Sequence, residues 1–562
     1  MKAKENKKDK KTTISLNVKI TILAIILIAI VSVALSPVTL QNDTYYTIKV
    51  GEHIAKYGID MEDPFSWHED LGYTYPHWGY DLITYYIYNS FGMTGIYITT
   101  CLLAVILGIS IYLINSKLTK NEVLSFVITI GAMYLIRGYI AARAQLVTFI
   151  LFAITIYLIE KFLETRKKRY GIGLIIIPIL IANLHVAVFP FYFILYLPYI
   201  AEYVIAAIGE LVIYRKVEVK ILENKIKKLK KKQNCEEKVQ ELEKKLEELN
   251  NTIDKVKIKR SKELQNPYKI KLTKNDNVKW LILIMIICIF TGLLTPLGTT
   301  PYTYLIKTMQ GNTTQNINEH LPMTIANETE VLCILIIFLA PLIFTKVKIR
   351  LSDLFMIGGL CYLMLSSRRQ VTMFVIIGSV ILTRLITDLI IIYGNEEIIE
   401  KWKKAITSKI GIAITTIAVL LLSYHFAEGK FEDKYIDETS YPVQACDYIL
   451  ENIDLGKARF YNEYNYGSYM IFRGIPVFID SRADLYAPEF SGKEDDIFMD
   501  FMETSNIGKF YEDIFEKYDI THVITYKNSK MNMIITKTKD KNYKELYSDN
   551  YFVVYERENS NS

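Results

Sequence analysis

Asp43 follows the first long apolar run of the chain and opens a segment rich in Tyr, His and Trp. A carboxylate at that position points to chemistry at a membrane surface. Other polar residues that could serve a site lie at the ends of later apolar runs: Arg137 and Arg143, Asn183 and His185, Glu319 and His320, and the adjacent pair Arg368 and Arg369. An Asn and a His in a short turn between apolar spans are costly unless paired, so Asn183 and His185 either bind a ligand or hydrogen-bond helix to helix. Glu319 is a second acidic candidate, with loop solvation as its plainer role. Each Arg could equally reach the headgroups with its stem buried. His68, Glu69, Asp70 and His77 could hold a divalent ion, yet their spacing matches no standard metal site. The six cysteines form no CxxC and none stands at ligand spacing from a His, so they read as small buried hydrophobes.

These residues must be positioned by membrane helices. The chain has 562 residues, 51% of them hydrophobic, and the apolar residues are gathered in blocks rather than spread at the period of soluble helices. Blocks able to cross a core of about 30 Å are Val18 to Ser36, Gly95 to Ile114, Val123 to Leu135, Leu146 to Phe162, Gly171 to Leu184 and Val186 to Val212. After a charged interruption come Trp280 to Leu294, Val331 to Phe344, Leu351 to Leu365, Val371 to Tyr393 and Ile410 to Tyr424, giving about eleven spans on a window reading. Lys and Arg concentrate in alternate loops, which predicts a multi-pass cell-membrane protein with a cytoplasmic N-terminus and an extracellular C-terminus. An apolar first run of this length suits an uncleaved anchor better than a signal peptide.

Five regions follow. Residues 1–17 form a basic cytoplasmic tail. Residues 18–214 make an N-terminal membrane module whose external loop, 37–93, is the candidate catalytic loop. Residues 215–278 are a cytoplasmic insert, 279–424 a second membrane module, and 425–562 an external domain. In the insert Leu222, Ile226 and Leu229, then Val239, Leu242, Leu246 and Leu249, repeat at heptad spacing, broken at Gln233, Asn234 and Cys235. An antiparallel coiled-coil hairpin fits, serving as a solvated spacer, a docking or self-associating element, or a lipid-facing basic surface. No recognition motif for nucleic acid accompanies its Lys residues.

The last region alternates short helix and strand patterns, which predicts an α/β domain. Val443 to Asn452 and Asp500 to Tyr518 read as helices; Ala458 to Tyr461, Val477 to Ile479, His522 to Tyr526 and Tyr551 to Tyr555 read as strands. Asp480, Ser481 and Arg482 end one strand, with Asp484 beyond. That loop could hold a polar ligand, or Asp480 and Arg482 could pair to fix a domain interface.

In the first loop a helix from Thr44 to Tyr57, ended by Gly58, is followed by a turn at Asp63, Pro64, Phe65 and Ser66. An aromatic surface helix then runs from Trp78 to Ser90. Two surface helices flanking a carboxylate form a groove half in lipid and half in water, which suits a substrate with a long tail and a polar head.

With the first span, Asp43, the two surface helices, the Asp63 turn and the later spans, the chain resembles the glycosyltransferase C superfamily. These are integral membrane enzymes that use polyprenyl-phosphate or polyprenyl-diphosphate sugars. Tyr466 to Tyr469 and the Asp480, Ser481, Arg482 run resemble the branch with an external α/β domain. The resemblance implies transfer of a sugar from a polyprenyl-phosphate donor to a glycan or protein acceptor at the external face, with inversion and with Asp43 as general base. A departing phosphate needs no prior protonation, so one base suffices. The phosphate does need positive charge, which Arg368 and Arg369, then Arg137 and Arg143, could supply; His77, Asn183, His185, Asp480 and Arg482 complete the expected binding set. No cofactor is required on this reading, and a divalent metal is left open because in parts of the family the loop of Glu319 contributes to one. A transporter or flippase of lipid-linked saccharide and a non-catalytic scaffold are the rival functions. Heavy use of Ile, Lys, Asn and Tyr fits a low-GC bacterial genome.

Overall fold

The computed structural model describes residues 15–214, 216–230, 236–264, 269–324, 329–538 and 542–558. Most of the basic tail and the break at Gln233, Asn234 and Cys235 lie outside these residues.

Helix α1, Leu16–Leu35, starts where the Ser15 hydroxyl accepts from the Val18 amide at 3.4 Å. Helix α2, Asn42–Tyr57, ends at Gly58, and α3, Trp78–Thr119, is kinked at Gly92, whose φ is 63°. The expected surface helix and the second apolar block are therefore the two arms of one bent helix. Next come α4, Glu122–Leu135, capped by Asn121; α5, Ala144–Thr165; α6, Lys168–Leu184; α7, Phe189–Ile194; and α8, Leu197–Tyr214.

The insert is a helical hairpin of α9, Lys216–Leu229, and α10, Glu236–Leu264, packed on each other. Leu222, Ile226, Val239 and Leu249 are buried in its seam, and Lys230 meets Glu243 at 2.6 Å. The heptad face is thus used within the chain, and nothing in it supports self-association. A short strand β1, Ile270–Lys271, leads to α11, Val278–Thr291; α12, Thr300–Gln310; α13, Thr313–Asn316; and α14, Thr329–Phe344. Strand β2, Ile349–Arg350, pairs in parallel with β1 and is followed by α15, Leu351–Ser366, then α16, Val371–Tyr393; α17, Glu396–Ile406; and α18, Lys409–Ala427.

Every expected apolar block falls on helix. Among the described residues six helical stretches are long and apolar enough to cross a membrane unaided, and four more apolar helices are shorter, so length alone does not reach eleven spans. Apolar Ile and Leu faces of α1, α11, α14 and α18 remain exposed, as a lipid-facing surface requires. At the end of α5 remote from Arg143, Glu160 meets Arg350 at 2.5 Å and Arg384 at 3.3 Å, and Asp353 meets the same two arginines at 2.7 and 2.6 Å. This network ties α5, α15 and α16 together about 25 Å from that helix's other end.

The C-terminal domain opens with α19, Val443–Asn452, and β3, Phe460–Tyr461, then α20, Tyr464–Arg473. Short helices α21, Pro488–Ser491; α22, Ile497–Asn506; and α23, Tyr511–Lys517, precede β4, His522–Tyr526; α24, Lys530–Thr538; β5, Tyr543–Ser548; and β6, Phe552–Arg557. The sheet runs β3-β4-β6-β5, with β3 parallel to β4 and the other pairs antiparallel. The single helix expected over Asp500 to Tyr518 is broken where Ile507 takes a left-handed backbone before Gly508. Residues 477–479 make no ladder strand; Val477 bridges only to Ser66 of the first loop.

Candidate functional site

The first loop and the C-terminal domain are pinned by one arginine. Arg482 donates to both oxygens of Asp480 at 2.9 and 2.8 Å and to Asp63 at 2.6 Å, while the Tyr486 hydroxyl also donates to Asp480. Asp63 in turn accepts from the Ser66 and Phe65 amides at 3.0 and 3.3 Å, which builds the expected turn. Burial works against the Asp63 charge, yet Arg482 and Ser66 hold its carboxyl below the usual range. Trp67 reaches across to the Phe460 carbonyl at 3.0 Å, and His68 bonds the Phe478 carbonyl at 2.9 Å instead of facing an ion site. Gly467 is required here, because a Cβ would sit 2.0 Å from the Ile479 carbonyl oxygen.

Between the membrane helices and this domain lies a cavity of about 1040 Å³. At its centre Arg143, the residue before α5, bridges two carboxylates. Its Nη2 is 2.6 Å from Asp43 Oδ2, and its Nη1 is 3.1 Å from Glu319 Oε1 and 3.3 Å from Oε2. Asp43 stands in the first turn of α2, where the helix dipole favours an anion. Its neighbour Asn42 donates to the Tyr464 carbonyl at 2.9 Å, which locks α2 to the C-terminal domain. Burial opposes the charge on Arg143, but Asp43 and Glu319 hold its proton more tightly than usual. Burial likewise opposes the charge on Glu319, and Arg143 and Arg369 bring its carboxyl below the ordinary value.

Glu319 is placed by backbone pairing: its carbonyl accepts from the Arg369 amide at 3.0 Å, and the Leu321 carbonyl accepts from the Arg368 amide at 3.0 Å. The Arg369 side chain lines the cavity, with Nη2 at 2.7 Å from Gln145 Oε1, a neutral partner. His185 also lines it, buried, with Nδ1 at 2.8 Å from the Thr148 hydroxyl. Burial, with help from His77 and Arg369, keeps its imidazole neutral. His77 borders the cavity with its ring centre 5.4 Å from that of His185.

Other expected residues stand elsewhere. Asn183 spends its amide on the carbonyls of Ile179 and Leu294 at 2.7 and 2.9 Å, a helix-to-helix role. Arg137 lies outside the cavity, over the Tyr134 ring at 3.9 Å and 3.6 Å from Glu330. Arg368 is not on the cavity wall, and its carbonyl accepts from the Tyr139 hydroxyl at 3.0 Å. Asp480 is fully buried away from the cavity, and Arg482 touches the wall with its guanidinium already committed.

One wall residue had only a faint sequence signal. Asp484 accepts from the hydroxyls of Tyr304, Thr313 and Thr308 at 2.7, 3.0 and 3.4 Å, so a carboxyl group lines the cavity beside α12. Only its place just beyond the Asp480 run hinted at it.

A divalent ion does not fit this donor set. Among the described residues no three His, Cys, Asp or Glu side chains converge, and the two carboxylates that do approach each other already clasp a guanidinium. An ion would have to evict Arg143.

No protein-family model matches the sequence, and no curated protein sequence does. Solved structures do share the fold. The Archaeoglobus fulgidus oligosaccharyltransferase AglB, in complex with an inhibitory peptide and a dolichol-phosphate, superposes with a TM-score of 0.51 and 11% identity over 91% of this chain and 69% of that one. The oligosaccharyltransferase of the same organism, tethered with an acceptor peptide containing the NVT sequon, gives a TM-score of 0.50 and 11% identity over 98% of this chain and 74% of that one. Its apo form gives 0.50 and 9% over 91% and 69%. The likeness establishes the fold: a bundle of apolar helices carrying a C-terminal domain, shared with these oligosaccharyltransferase structures.

Proposed function

We propose that the protein is a membrane glycosyltransferase that moves a sugar from a polyprenyl-phosphate donor to a glycan or protein acceptor at the external face. The observation that carries this reading is the Asp43 carboxylate, held by Arg143 at the centre of a cavity formed jointly by the membrane helices and the C-terminal domain. The shape of the cavity supports a lipid donor. Val188, Phe191, Leu305, Leu321 and Leu363 give it apolar lining, and Met309 on α12 is 74% exposed. Asn465, Ser481, Asp484, Ser505 and Asn506 of the C-terminal domain give it polar lining.

In the reaction an acceptor group approaches Asp43, which takes its proton as the acceptor attacks the anomeric carbon. The bond from that carbon to the phosphate oxygen breaks with inversion, and the lipid phosphate leaves as an anion. Arg369, tied only to a neutral amide, offers that anion a charge-assisted hydrogen bond. Arg143 keeps Asp43 aimed, and it stands where a metal would otherwise organise the two acids. The N-terminus is then cytoplasmic, the helical hairpin lies inside, and the C-terminal domain lies outside, as the distribution of Lys and Arg requires.

The test is sugar release from a panel of polyprenyl-phosphate sugars by purified protein beside Asp43→Ala. Turnover by the wild type alone supports the proposal. Equal turnover by the two, or none with any donor and acceptor, overturns it.

A further inference from the structure

Behind His77, which lines the cavity, is a buried carboxyl group that this mechanism leaves unused. Asp81, in the first turn of α3, is completely buried beside Thr47, and among the described residues neither of its oxygens has a partner within hydrogen-bond range. Buried polar groups are nearly always satisfied, so such an acid requires an explanation. Its nearest ionisable neighbour is His77, one helical turn earlier, whose Nδ1 is 3.7 Å from Asp81 Oδ1. The His77 ring borders the cavity between Tyr46, at 6.3 Å between ring centres, and His185. With Nδ1 turned to the acid, Nε2 points away from it.

We infer that Asp81 and His77 share one proton, and that the pair passes it to the imidazole when an anionic phosphate enters the cavity; this rests on the reading of the cavity as a lipid-phosphate site. The O–H bond at Asp81 breaks, an N–H bond forms at Nδ1, and Nε2–H donates to a phosphate oxygen. No proton comes from solvent. The empty pair carries no net charge, which avoids the cost of a lone buried ion. In the loaded pair the imidazolium stands between two anions. The separation of 3.7 Å is a few tenths of an ångström beyond hydrogen-bond range and closes as the ring engages the ligand. Asp81 is therefore a positioning residue that acts through His77.

Most other charged and titratable groups around the pair have prior commitments; the buried Tyr73 hydroxyl, which has no partner among the described residues, is a far weaker acid than a carboxyl. From α2, Tyr46 faces His77, with Asp43 beyond it clasped by Arg143. From the turn after α6, His185 bonds Thr148. From the first loop comes Tyr73, and from the C-terminal domain Arg482, which is held by Asp63 and Asp480. Arg369, whose charge is felt at His185, bonds Gln145. None of them supplies a proton that can move as cheaply.

The experiment is calorimetric titration of full-length protein in detergent with farnesyl methyl phosphate, a diester whose single charge does not titrate near neutral pH. Buffers of different ionisation enthalpy then count the protons taken up on binding. Wild-type protein is expected to take up close to none. Asp81→Asn is expected to draw a proton from solvent, so its affinity falls by up to about tenfold per pH unit above the imidazole range. His77→Gln should bind more weakly and take up none. Equal proton counts for wild type and Asp81→Asn overturn the pair while the lipid-phosphate reading stands, because the diester has bound. Failure of wild-type protein to bind the diester removes that reading and the pair with it. A second measurement needs no variant: infrared difference spectra of the wild type should lose the stretch of a protonated buried carboxyl on binding. Persistence of that band overturns the proposal whatever the variants do.

Discussion

One arginine between two carboxylates occurs twice in this molecule, and the two clamps differ chiefly in water. The clamp of Asp63, Arg482 and Asp480 is dry, with side chains 0, 3 and 0% exposed. The clamp of Asp43, Arg143 and Glu319 borders an open cavity, with exposures of 22, 21 and 42%. In the dry clamp no member can be parted from the others without stranding a charge in a medium of low dielectric. In the wet one, solvent can replace a partner at little cost, so Asp43 can be lent to an acceptor and recovered. The same chemistry thus fastens a domain in one place and, on the proposed function, serves a reaction in the other.

The sharpest way to break that comparison is at the two acids. Asp43→Ala should lower sugar transfer by about 10²-fold or more with an unchanged thermal unfolding midpoint. Asp63→Ala should strand Arg482 and lower stability by about 3–5 kcal/mol, read from the unfolding midpoint of purified protein. If the two variants exchanged these phenotypes, the division between a working clamp and a fastening one would be wrong. Glu319→Gln comes next: it leaves Arg143 on Asp43 alone and should cost about tenfold in turnover with little change in stability.

Acid sharpens the contrast further. The Asp63 carboxyl is held below its ordinary range, so its contribution is present above about pH 3.9, the unfolded value, and is lost as pH falls through the lower folded value. Fluorescence of Trp67, which bonds across the same interface, should hold through mild acid and change only in stronger acid. The smallest expected effect is that of a chelator. With Arg143 between the acids, EDTA should change turnover by less than about twofold; a loss as large as that of Asp43→Ala would show that a metal organises the site after all.

Much of the fold was legible in advance because membrane helices announce themselves by local composition. Each apolar block became helix, and the heptads of the insert became a hairpin. The first loop was read closely too, since Gly58 and the Asp63 turn act over a few residues. The site was legible in its members and not in its partnerships. From sequence Arg143 reads as a headgroup anchor or a phosphate ligand, yet its contacts depend on the packing of α2, α5 and the Glu319 loop, which no spacing encodes. Arg369 and Arg368 are adjacent in sequence, but only the turn geometry before α16 decides that one faces the cavity. Asp81 escaped notice because it lies in an aromatic run that reads as a surface helix; its one signal was its position four residues after His77. In the C-terminal domain β5 was missed, because a half-exposed strand of Lys, Glu and Tyr has weak alternation.

The bend of α3 has a consequence for how the protein meets lipid. Its first arm packs so closely on α2 that a Cβ at Gly51 would meet Asp81 and Tyr85, and its second arm packs on α1 and α4, where a Cβ at Gly108 would meet Ile28, Ser32 and Met133. Gly92 joins them with a backbone conformation that other residues adopt only under strain, and no neighbouring atom crowds the position. One helix therefore answers to two sets of neighbours whose directions differ, the loop that carries Asp43 and the apolar bundle that a bilayer would surround. Any side chain at residue 92 would set those two directions against each other.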